Sequence, residues 1–133
     1  MVITDLSKKI LFLSKYWAGK THDYTILKEE LLPLLNWFKN LEVYLDLGYL
    51  GFAKDYCCKS IFMPSKSKKS NPLTEDQKHF NRQLSSQRVG IEHGIGGMKR
   101  YRILSDRIRA HNLENHDSAL EACAGLWNFY LST

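Results

Sequence analysis

The 133 residues carry a net charge of +5, are 44% apolar and 25% charged, and include three Trp, seven Tyr and six Phe. That balance places the chain with ordinary globular proteins and allows one domain with a real core. No apolar run approaches the roughly 20 residues that span a bilayer, and the opening residues lack a signal-peptide pattern. Cys57, Cys58 and Cys123 match neither a disulfide framework nor a zinc-ligand spacing. An intracellular protein with buried, reduced thiols is therefore expected.

In chain order, Val2-Ile3-Thr4 and Ile10-Leu11-Phe12-Leu13 are β-prone runs around the polar stretch Asp5 to Lys9, which reads as a hairpin. Asp23 is placed to cap a helix starting at Tyr24, with Ile26, Leu27 and Leu31 on one side. Pro33 should stop that helix near Leu31 or Leu32, with a further turn over Leu34 to Phe38. Leu41 to Asp46 reads as a strand ending before Gly48; strict alternation turns Leu41, Val43 and Leu45 inward and leaves Asp46 at the tip.

Gly51 to Cys57 reads as a short helix, and Ser60 to Met63 as a strand stopped by Pro64. Ser65 to Pro72 is a solvated loop. Thr74-Glu75-Asp76-Gln77 is a capping box for a long helix with Phe80, Leu84, Ile91, Ile95 and Met98 as its apolar positions. Gly90, Gly94, Gly96 and Gly97 weaken it, which implies close approach of another backbone or a break near Ser85-Ser86. A last helix over Ser118 to Tyr130 puts Leu120, Cys123, Ala124, Trp127 and Leu131 on one face. The order predicts a mixed α/β or α+β fold.

Charge is concentrated in the middle. Pro64 to Ala110 holds eleven Lys or Arg (among them Lys66, Lys68, Lys69, Lys99, Arg100, Arg107 and Arg109) against four acids, a net +7, while residues 1–63 carry +1 and 111–133 carry −3. Such a block suits a polyanion, phosphate backbone above all, although a plain solvated surface has the same composition. Two acids stand apart. Asp46 closes an apolar strand, and Glu92 lies inside the long helix with Arg88 four residues before it. A strand-tip carboxylate and a helical one can share a hard cation. Equally, Asp46 can cap the next short helix and Glu92 can simply pair with Arg88.

The strings Gly19-Lys-Thr-His-Asp23, Tyr44-Leu-Asp46-Leu-Gly48-Tyr49-Leu-Gly51, Leu73-Thr-Glu75, Phe80-Asn81-Arg82, Leu84-Ser-Ser86, Arg88-Val89, Glu92-His93-Gly94-Ile95, Lys99-Arg100 and Ile103-Leu104 together resemble the catalytic core of DDE transposases of the insertion-sequence and Harbinger type. The resemblance spans about Met1 to Arg109, and the last helix is similar to the family's C-terminal one. It implies an α/β, ribonuclease H-like fold in which three acids hold two Mg²⁺ or Mn²⁺ ions. Asp46 matches the second acid and Glu92 the third. One ion would activate the attacking water or 3′-hydroxyl and the other would stabilise the leaving oxygen. DNA, as transposon ends and target, is the implied partner. Lys99 and Arg100 match basic positions of the motif; Lys66, Lys68 and Lys69 are DNA-binding candidates by charge and loop placement. No membrane partner is expected, and the implied place is the cytoplasm, nucleoid-associated in a bacterium.

Other matched residues read structurally. Asp23 is most simply a cap and Asp5 a turn residue; His22 and His93 either support the site by orienting a carboxylate or, more simply, are buried and hydrogen-bonded, and Tyr49 is expected to pack. The family's first acid sits on a first strand upstream of the opening hairpin, and nothing in these 133 residues corresponds to it or to a DNA-recognition domain. Residues 1–133 are thus expected to be the C-terminal part of a catalytic domain, inactive alone. They would be a remnant, a frameshift product, or a fragment completed by an upstream polypeptide that supplies the first Asp. A non-catalytic basic DNA-binding module is the alternative.

Overall fold

The computed structural model describes residues 1–104 and 113–133, the Leu113 side chain excepted; Asp106, Arg107 and Arg109 of the basic block lie outside the described residues. The chain is mixed α/β with two small sheets and two long C-terminal helices, and it divides into two units, residues 1–19 with 87–133, and residues 20–86.

The first unit opens with the expected hairpin. Strands β1 (Val2–Thr4) and β2 (Ile10–Leu13) pair antiparallel, with a register shift between Ile3 and Thr4. Asp5 builds the turn: its Oδ1 accepts from Ser7 Oγ at 2.6 Å and from the Lys9 amide at 2.9 Å. The Ser7 hydroxyl first, with the Lys9 amide and charge adding, holds the Asp5 carboxyl below its ordinary value against the opposing effect of burial. Asp5 is a turn residue.

The hairpin is fastened to the last helix, α4 (Leu113–Ser132), by side chains bonding to backbone. Asn128 accepts from the Ile10 amide and donates to the Ile10 carbonyl, both at 2.8 Å, and Trp127 Nε1 donates to the Lys8 carbonyl at 2.9 Å. Ile10, Met98, Ala124 and Trp127 form the core here, with Val2, Leu13, Leu104 and Leu120 packed against it. On the predicted α4 face Cys123, Ala124 and Trp127 are buried, whereas Leu131 is 37% exposed, one turn beyond the last core contact.

The second unit holds α1 (Asp23–Glu30), β3 (Glu42–Tyr44), a 3-10 turn (Leu47–Tyr49), α2 (Phe52–Asp55) and β4 (Ser60–Phe62). β3 and β4 are parallel, Val43 opposite Ile61, joined by the crossover that parallel pairing requires. Phe38, Phe52 and Tyr56 pack ring on ring with centroids 4.8–5.5 Å apart, beside buried Ile26, Leu27 and Leu31. The Tyr56 hydroxyl lies 2.6 Å from the Leu31 carbonyl, so it satisfies the end of α1 that Pro33 leaves open.

Several expectations need correction. Leu41 is 52% exposed, because it precedes the strand, which starts only at Glu42. Cys57 is exposed: Tyr56 is buried in extended backbone, so its successor faces the other way. The further turn expected over Leu34 to Phe38 does form, as non-helical turns. The long helix α3 (Glu75–Lys99) runs unbroken through Ser85-Ser86. Its glycines answer to close approach instead. A Cβ on Gly94 would sit 3.2 Å from the Lys8 carbonyl, and one on Gly97 would lie inside the Trp127 ring, whereas Gly90 and Gly96 face open space. The capping box forms as read, with the Thr74 amide donating to Gln77 Oε1 at 3.0 Å and the Gln77 amide to Thr74 Oγ1 at 3.3 Å.

Candidate functional site

The two candidate acids fall in different units, and each has its own surroundings. Asp46 stands two residues after β3 and is exposed. Its backbone is extended, and its Oδ1 accepts from the Leu47 amide at 2.7 Å, so it is the N-cap of the 3-10 turn. A cap uses one of the roughly four acceptor positions of a carboxylate and is compatible with a further ligand. The turn closes with the Tyr49 amide on the Asp46 carbonyl at 3.1 Å. Gly51 follows at φ +102°, a left-handed conformation that favours glycine and lets the chain enter α2 at once.

The Thr21-His22-Asp23 string packs against this turn. His22, not Asp23, is the cap of α1: its Nδ1 accepts from the Tyr24 amide at 3.3 Å, so that nitrogen carries a lone pair there. Asp23 is instead the first helical residue, where its charge suits the positive end of the helix. His22 is exposed, as is His93, and neither fills the buried place expected of it; one works at a helix end and the other lies on the outward side of α3. Tyr49 packs as expected, edge-on to Tyr24 with centroids 6.1 Å apart. Burial first, then the charges of Asp23 and Asp46, push its hydroxyl up to about 12. The Tyr49 phenol therefore stays neutral at physiological pH and senses both carboxylates.

Glu92 is exposed on α3, with Oε1 3.8 Å from Arg88 Nε at helical i,i+4 spacing. Both side chains are more than half exposed, so the pair contributes little, under about 1 kcal/mol, and Glu92 can exchange it for another cation cheaply. Among the described residues no three His, Cys, Asp or Glu side chains are grouped as metal ligands. The donors fit a hard divalent ion in kind, both being exposed carboxylate oxygens.

The basic candidates also divide between the units. Lys66, Lys68 and Lys69 lie on the exposed 66–72 loop, where Lys68 and Asn71 form an isolated backbone bridge. Asn81 pins the base of this loop, accepting from the Ser65 amide at 2.9 Å and donating to its carbonyl at 3.0 Å. Lys99 and Arg100 are exposed at the end of α3, and the Arg100 guanidinium lies 4.9 Å from the Tyr130 ring centre. Sequence reasoning missed Asn81, although it stands inside a matched string, and missed the anchoring role of Tyr24, which nothing in the local pattern announces.

A family profile described as DDE superfamily endonuclease matches residues 1–128. The chain belongs to that family. A relative described as a probable transposase for insertion sequence element IS702, from Microchaete diplosiphon, is 28% identical over 132 residues. The match takes in 99% of this chain and 45% of the relative, so the chain spans less than half the length of that transposase. No solved structure matches the DDE endonuclease chain significantly. Among the described residues, no helix is long and apolar enough to cross a membrane.

Proposed function

We propose that this DDE endonuclease chain contributes Asp46 and Glu92 to the divalent-metal site of a DNA transposase that cleaves phosphodiester bonds and transfers strands. The family match over residues 1–128, read with an exposed acid just past the carboxyl end of a parallel strand, carries the proposal. Reactive groups of open α/β sheets gather at such strand ends. The fold class proposed is ribonuclease H-like, with a further strand and a further acid needed to complete sheet and site.

Bound Mg²⁺ or Mn²⁺ supplies Lewis acidity at phosphoryl oxygens and lowers the proton affinity of an attacking oxygen. The chain's own residues do the rest. Asp46, fixed by the Leu47 amide, and Glu92, released from Arg88, offer the anionic oxygens. Lys99 and Arg100, with Lys66, Lys68 and Lys69, neutralise DNA phosphates and hold the strand without reading its sequence. Two carboxylates hold a pair of like-charged ions weakly, so the 133 residues alone are proposed to be inactive.

Thermal unfolding with and without Mn²⁺ tests the metal. The wild-type chain should be stabilised and Asp46→Ala much less so; equal responses would remove the metal assignment. For DNA, replacing Lys99 and Arg100 together with Ala should make the plot of log K against log salt shallower by up to about two phosphate contacts. An unchanged slope would take both residues off the DNA.

A further inference from the structure

The segment after Asp46 is held by a residue outside it. Tyr24 lies edge-on to Tyr49, at an interplanar angle of 77°. Its ring and hydroxyl also approach Gly51: a Cβ there would lie 3.6 Å from Tyr24 Cε1 and 3.8 Å from its oxygen. The same hydroxyl donates a short hydrogen bond to Asp55 Oδ2, on α2. Lys28 secures the arrangement from the next turn of α1, with Nζ 4.8 Å above the Tyr24 ring and 3.9 Å from Asp55 Oδ2. At its backbone Tyr24 is fixed by His22, whose ring borders Gly48 at 4.0 Å from a Cβ built there. One tyrosine thus touches residues 49, 51 and 55, the middle, the end and the exit of the turn that Asp46 opens.

We propose that Tyr24 is a positioning residue for Asp46, clamping the Asp46–Gly51 turn between α1 and α2 so that the carboxylate keeps one orientation. The inference rests on the reading of Asp46 as a metal ligand for its purpose, but the clamp itself can be tested without metal. Beside it, the Asp46 cap and the bond from the Tyr49 amide to the Asp46 carbonyl hold the turn, and short elements of this kind open readily. Burial, then the bond to Asp55, pushes the Tyr24 hydroxyl well above its ordinary value, so it remains a donor at neutral pH.

The test is backbone ¹⁵N relaxation on the full chain without metal, for wild type, Tyr24→Phe, Tyr24→Leu and Asp55→Asn, followed by Mn²⁺ titration of each. Order parameters of Leu47 to Gly51 should fall from about 0.85 toward 0.6 in Tyr24→Leu and part of the way in Tyr24→Phe. The Leu45 amide, which bonds to the Phe62 carbonyl across β3 and β4, should not change. Loss of one hydrogen bond of about 1 kcal/mol should weaken Mn²⁺ binding in Tyr24→Phe measurably, by at most about fivefold. Asp55→Asn keeps an acceptor oxygen and should stay near wild type. Unchanged order parameters in both Tyr24 variants would overturn the clamp, as would a loss of order shared equally by Leu45. If wild type binds no Mn²⁺, the metal reading falls, and the relaxation data still decide for or against Tyr24.

Discussion

Asn128 and Asn81 perform the same act in different units: each side-chain amide accepts from one residue's N–H and donates to that residue's carbonyl. Asn81 does so across 16 residues, tying the lysine loop to α3, whereas Asn128 does so across 118, tying β2 to α4. The unit around Asp46 is built largely from neighbours in sequence, through a strand, a turn, a short helix and a parallel strand. The unit around Glu92 is built from the two ends of the chain. The acid of the local unit owes its orientation to a cap and a turn; the acid of the other owes its place to packing on the far side of its helix.

The sharpest way to break this contrast is at Gly97. A methyl there enters the buried Trp127 ring, which is itself fixed through Lys8, so Gly97→Ala should cost about 2–3 kcal/mol in urea denaturation. A cost below about 0.5 kcal/mol would mean that Trp127 is not rigidly seated. Asn128→Ala should follow at about 2 kcal/mol, because it leaves an Ile10 amide and carbonyl partly buried without partners. Asn81→Ala should cost less and chiefly loosen the loop, which protease nicking near Lys68 and Lys69 would report. If the two asparagine variants lose equal stability with no change in nicking, the local and distant anchors are equivalent and the contrast fails.

Smaller effects sharpen it. Gly96 faces open space inside α3, so Gly96→Ala should stabilise by up to about 1 kcal/mol, opposite in sign to its neighbour. At the hairpin turn, Asp5 has a folded-state value held below the ordinary 3.8 by Ser7. Its contribution is present above that pH and fades as pH falls through the lowered value. Ser7→Ala should therefore remove a small stabilisation at neutral pH, leave the acid-end stability almost untouched, and so flatten the acid limb. An unaltered acid limb would show that the Ser7 hydroxyl does not set the Asp5 charge.

What could be read from the sequence follows the same division. The hairpin, the capping box and the stop at Pro33 are all legible, since each is written in residues a few positions apart. Glycine-rich α3 was half legible: close approach was foreseen, but only a structure distinguishes Gly94 and Gly97, which meet Lys8 and Trp127, from Gly90 and Gly96, which meet nothing. His22 was mistaken for a buried histidine because an imidazole cap carries no pattern beyond the Asp beside it. Tyr24 was invisible for the plainer reason that its partners, Tyr49, Gly51 and Asp55, lie about 25–31 positions away and are joined to it by folding alone. For the proposed site, context alone singles out Asp46 and Glu92 but leaves cap and ion pair as equal readings, and the matched strings are what favour the metal.

The central proposal is that Asp46 and Glu92 serve one divalent ion. A double-mutant cycle on Mn²⁺ affinity, with Asp46→Asn, Glu92→Gln and both together, tests it most directly. Ligands of a shared ion should be non-additive, with a coupling of at least about 0.5 kcal/mol, the double variant losing less than the sum of the singles. Additive losses, or Mn²⁺ binding that neither substitution alters, would contradict the assignment.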